Sequence, residues 1–162
     1  MWDDLVLFLK EILSVYQGLL DLSKAKREVL VAAKVDELDK ITKQEEMLIV
    51  QAGKLEAKRQ KLADKMAESL GIKRENLTLG KVKTALPEEL QLVWGEMTEE
   101  FHKVNTELEG INQLNTKLIE QSLSFINYNM NVLARISNSP VYEAGGKSQP
   151  DQSARVLVDK KV

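Results

Sequence analysis

The stretch Leu90–Ile136, LQLVWGEMTEEFHKVNTELEGINQLNTKLIEQSLSFINYNMNVLARI, decides how the chain folds. Its apolar residues recur at alternating steps of four and three, through Leu90, Trp94, Met97, Phe101, Val104, Leu108 and Ile111. That spacing keeps one face of an α-helix apolar over many turns and predicts a long helix packed in a bundle. The register then continues through Asn115, Leu118, Ser122, Phe125, Asn129, Val132 and Ile136, so three polar residues enter the seam. Beside it, Ile119, Leu123, Ile126, Met130 and Leu133 add apolar surface, and no charged side chain occurs from Gln121 to Ala134. A helix that departs from its own seam yet stays apolar and uncharged reads as surface kept for a partner.

Two further helices precede this one. The first covers about residues 2–33, with the stripe Trp2, Leu5, Leu9, Ile12, Tyr16 and Leu19 widened by Phe8, Leu13 and Leu20. The second covers about residues 37–70, through Leu38, Ile41, Glu45, Leu48, Ala52, Leu55, Arg59, Leu62 and Met66. No Gly or Pro separates them, which leaves one continuous helix as the alternative. The capping pair Asp36 and Asp39 favours a turn near residues 34–36, because a helix of roughly seventy residues would have no partner within the chain.

Gly71 is placed to close the second helix. In the connector, residues 71–87, Thr78 can cap a short helix over residues 79–85 and Pro87 suits the first turn of the next. The third long helix covers about residues 88–136 and stops at Ser137-Asn138-Ser139-Pro140. Residues 138–162, with Gly145, Gly146 and Pro150, lack a helical period and read as a flexible tail. The expected fold is all-α: long antiparallel helices forming a hairpin and then a three-helix coiled-coil bundle over residues 1–137, followed by that tail. At about 1.5 Å per residue the first two helices span about 50 Å and the third about 75 Å. The third must therefore bend, or overhang with the portion that has shed its charges.

Composition narrows the function. The 162 residues carry a net charge of −2 with 30% charged side chains, so no concentrated basic field exists to displace counterions from nucleic-acid phosphates. The absence of cysteine removes disulfides and thiolate metal sites. Met1-Trp2-Asp3-Asp4 opens with acids where a secretory signal carries basic residues, and no apolar run reaches the length of a membrane span. A cytoplasmic protein is the expectation.

Catalytic motifs are missing as well. Nucleophile elbows and phosphate-binding glycine loops do not occur, and Gly145-Gly146-Lys147 lacks the flanking strand and helix of a phosphate loop. Glu99-x-x-His102 has the spacing of a carboxylate–histidine metal motif, but di-iron bundles need two such motifs and this chain has one His. No metal, no cofactor and no catalytic residue is expected. Glu45, Arg59 and Lys26 fall on helix seams, where they either snorkel at bundle edges or serve an incoming ligand. Asn115, Ser122 and Asn129 have two readings also: they fix register inside the bundle, or they wait for a partner helix whose polar groups they pair.

The second-helix pattern Asp36…Leu38-x-x-Ile41…Glu45-x-x-Leu48…Leu55…Arg59-x-x-Leu62 resembles the FlgN family of flagellar export chaperones. So do Asn112-x-x-Asn115-x-x-Leu118-Ile119, the following Leu123 and Val132-Leu133, and a tail with Pro140-Val141-Tyr142, Gly145-Gly146 and Asp159-Lys160-Lys161. The chain departs from the pattern in carrying Glu143-Ala144 between Tyr142 and the glycines, and in its longer connector. The resemblance implies a chaperone in bacterial flagellum biogenesis and type III secretion, holding the C-terminal helical segments of the hook-associated proteins FlgK and FlgL. It implies delivery to the export-gate component FlhA, with Tyr142 as the docking residue. The substrate face would comprise Asn112, Asn115, Leu118, Ile119, Ser122, Leu123, Phe125, Ile126, Asn129, Met130 and Leu133. The competing expectation is a structural coiled-coil homodimer or adaptor closed by the same stripe; direct membrane insertion and nucleic-acid binding are not expected.

Overall fold

The computed structural model describes residues 1–137 of the 162-residue chain. The expected tail, Tyr142 included, lies outside the described residues. The elements are α1 (Trp2–Val31), α2 (Val35–Ser69), a 3-10 turn at Arg74–Asn76, α3 (Leu79–Ala85) and α4 (Glu88–Ser137). No strand occurs among the described residues, and the expected all-α bundle is what forms. The chain divides into two compact units, Met1–Leu123 and Ser124–Val162, and the described part of the second is the final stretch of α4.

The first unit is built on the hairpin of α1 and α2. They approach closely at Gly18, where an added Cβ would sit 3.0 Å from Leu48 Cδ1. The turn between them lies at residues 32–34, earlier than Asp36 suggested. Its geometry explains the shift. Lys34 N–H donates to the Val29 carbonyl and Ala33 N–H to that of Leu30, a Schellman closure, with Ala33 in the left-handed region at φ 53°. Asp36 and Glu37 fall in the first turn of α2, where acids favour the positive end of the helix dipole, and no side chain caps that end. Gly71 closes α2 in the same way, at φ 63°, with Ile72 N–H on the Ala67 carbonyl.

Packing follows the predicted stripes. One cluster joins Leu5, Phe8, Leu9 and Ile12 of α1 to Leu62 and Met66 of α2, Val82 and Leu86 of the connector, and Trp94 of α4. A second joins Leu20 to Val104 and Leu108, and between them the Tyr16 and Phe101 rings meet at 4.8 Å, tilted by 56°. Partners on α1 and α4 thus advance together along both helices, so α4 runs parallel to α1 within this unit. The connector is what allows this. Thr78 caps α3, its hydroxyl accepting from Lys81 N–H at 3.3 Å, and Val82 and Leu86 are buried over the end of the bundle. The connector is therefore part of the core, a role its mixed composition concealed.

Candidate protein-binding face

Asn115 is the last residue of α4 that the chain buries. It is 3% exposed, and its Nδ2 donates to the Ser23 carbonyl at 2.9 Å. The Ser23 hydroxyl in turn donates to Asn112 Oδ1 at 2.9 Å. Asn112 and Asn115 are thus engaged within the bundle, as the register-fixing reading of Asn115 expects. Asn115 Oδ1 is buried without a partner, a state that costs on the order of 1–3 kcal/mol when nothing satisfies it.

Beyond Asn115 the helix changes character. Within the first unit Leu118 is half-buried, while Ile119 and Leu123 are exposed. The Ser122 hydroxyl is occupied by its own helix, donating to the Leu118 carbonyl at 2.9 Å. In the second unit, Phe125 is 65%, Met130 63% and Leu133 65% exposed; Ile126 is exposed too, and Asn129 half-buried. Tyr128, which falls off both stripes in the sequence, is as exposed as these. Its position three residues after Phe125 was the available signal. In the first unit, Ile119 and Leu123 thus present exposed apolar side chains; in the second, Phe125, Ile126, Met130 and Leu133 do the same.

Other candidate positions are accounted for within the chain. Lys26 pairs with Glu45, and both side chains are mostly buried. Arg59 is exposed and grips Glu56 through two hydrogen bonds at 2.7 and 2.8 Å, which hold the Glu56 carboxyl down to about 2. His102 is exposed, Glu99 pairs with Lys103 at 3.5 Å, and no cluster of metal-ligating side chains occurs among the described residues. Among these residues also, no helix is long and apolar enough to cross a membrane.

An exposed, uncharged apolar helix face on an otherwise charged bundle is the kind of surface that receives another amphipathic helix. The chain belongs to the FlgN family, a family of flagellar export chaperones: the model of that family, described as FlgN protein, matches residues 1–150. No curated protein and no solved structure matches it.

Proposed function

We propose that this chain is a cytoplasmic chaperone that binds the C-terminal helical segment of the hook-associated proteins FlgK and FlgL. Holding that segment prevents premature assembly, and the chaperone then delivers its substrate to FlhA at the export gate, docking through Tyr142. The observation that supports this most is the solvent exposure of Ile119, Leu123, Phe125, Ile126, Met130 and Leu133 on a stretch without charge. Covering five such side chains yields about 1.5–3 kcal/mol each before the costs of association, a gain that requires no nucleotide. Asn112 and Asn115, which also bond to Ser23, begin the proposed substrate face, and Leu118, Ser122 and Asn129 lie along it.

Replacing Leu123 and Leu133 together by Glu tests the face. The variant should keep its circular dichroism and lose co-elution with a peptide of the FlgK or FlgL C-terminal segment. Retained co-elution would overturn the assignment. Tyr142→Ala should leave that co-elution intact and lower secretion of the substrate; loss of both would move Tyr142 into the substrate site. One observation favours a second reading: the row through Leu118, Phe125 and Val132 keeps the heptad register of a coiled coil, with Phe125 exposed on it. Sedimentation of dilute protein separates the two, since a tight homodimer would cover the face that a substrate needs.

A further inference from the structure

Within the first unit, α2 and α4 do not close completely over α1. They leave a groove of about 330 Å³ whose lining includes Leu19 of α1, Ile49 of α2 and Ile119 of α4. Ile49 and Ile119 are 59% and 39% exposed, so both walls are apolar and open to solvent. Lys26 and Glu45 are the groove's two charged residues, and each neutralises the other in a mostly buried pair. Another groove is different: four of its six lining residues, Lys24, Arg27, Glu28 and Glu107, are charged.

The groove also holds an unmet demand. Asn115 lines the groove, and its Oδ1 accepts nothing. Two local donors are committed elsewhere, Asn115 Nδ2 on the Ser23 carbonyl and the Ser23 hydroxyl on Asn112. Neither bond reaches Asn115 Oδ1, which leaves it an acceptor for a donor that enters the groove.

We infer that the α2–α4 groove seats one end of the bound substrate helix, and that it selects an uncharged helix carrying an amide or hydroxyl side chain between aliphatic ones. Aliphatic side chains pack on Leu19, Ile49 and Ile119, and the amide or hydroxyl donates to Asn115 Oδ1. A charged residue there would find both groove charges already paired and would be left desolvated. This rests on the proposed chaperone reading, and it adds α2 to a surface otherwise confined to α4: Leu123 stands one turn beyond Ile119 on the same helix.

The test is the affinity of the full chain for a synthetic peptide of a hook-associated protein's C-terminal segment. Three chains are compared: the unaltered protein, Ile49→Glu, and Leu133→Glu. Ile49 is exposed on α2, so Ile49→Glu should retain the native helix content and melting curve. The groove requires Ile49→Glu to weaken the peptide by about tenfold or more, alongside a loss in Leu133→Glu. Unchanged affinity in Ile49→Glu with loss in Leu133→Glu overturns the groove and leaves the α4 face standing. Unchanged affinity in both removes the underlying chaperone face. The donor is probed by exchanging the peptide's Asn, Gln, Ser and Thr residues singly for Met or Ala. At one position the exchange should weaken binding to the unaltered chain and have no effect on Asn115→Leu. Equal effects on both chains at every position would mean that Asn115 Oδ1 binds water only.

Discussion

Lys26 and Glu45 show what single residues contribute and what a sequence conceals about them. Each falls on a helix seam, and from sequence each was open to serving the bundle or a ligand. Their pairing was not readable, because it depends on how α1 and α2 are set against one another. Paired, they are tolerable inside a protein; singly, each is a charge with little access to water. Glu45→Met alone should therefore lower stability by about 3 kcal/mol, whereas Lys26→Met with Glu45→Met should recover most of that loss. Urea denaturation at neutral pH measures both, and a double variant no better than the single one would show that the pair is not the cause. Asn115 teaches the same lesson. Its place in the heptad was plain, but the Ser23 carbonyl that occupies its Nδ2 belongs to another helix.

The two Schellman closures isolate a property of helix ends. Gly71 takes the left-handed conformation without steric cost, and Ala33 takes the same conformation with a Cβ in the way. Ala33→Gly should stabilise the protein and Gly71→Ala destabilise it, by about 1 kcal/mol each, visible as opposite shifts of several degrees in thermal melting. Shifts of the same sign would mean that the α1–α2 turn is fixed by something other than this backbone position. Gly71 was legible as a helix end because glycine advertises the conformation. Ala33 was not, since alanine reads as a helix former, and Asp36 drew the turn toward itself. The connector was likewise opaque, because Val82 and Leu86 are apolar residues too few to show a period, and they gain meaning only against Leu5 and Trp94.

At the scale of the molecule, both core clusters and their packed neighbours end at Ile111, well inside the first compact unit. A chain of residues 1–123 should therefore unfold in one cooperative step, with a midpoint within about 5 °C of the full chain. A broad or lost transition would show that later residues hold the bundle together. The bundle itself was legible, since three long stripes of period three and four admit few other folds. The loss of apolar partners after Ile111 was legible too, as the entry of Asn115, Ser122 and Asn129 into the seam. What no single helix could reveal was which seam polar residue another helix would engage, and where α2 would leave an opening. The burial of α4 stops at Asn115 although its helix continues to Ser137, and this has a consequence for motion. Past that point less of the helix is buried, and Asn127, Asn129 and Asn131 lower its intrinsic propensity. Amide protons there should trade with water long before those beneath Trp94 and Val104, and a bound helix would slow them. Deuterium uptake along α4 thus becomes a running record of whether the chaperone is loaded or empty.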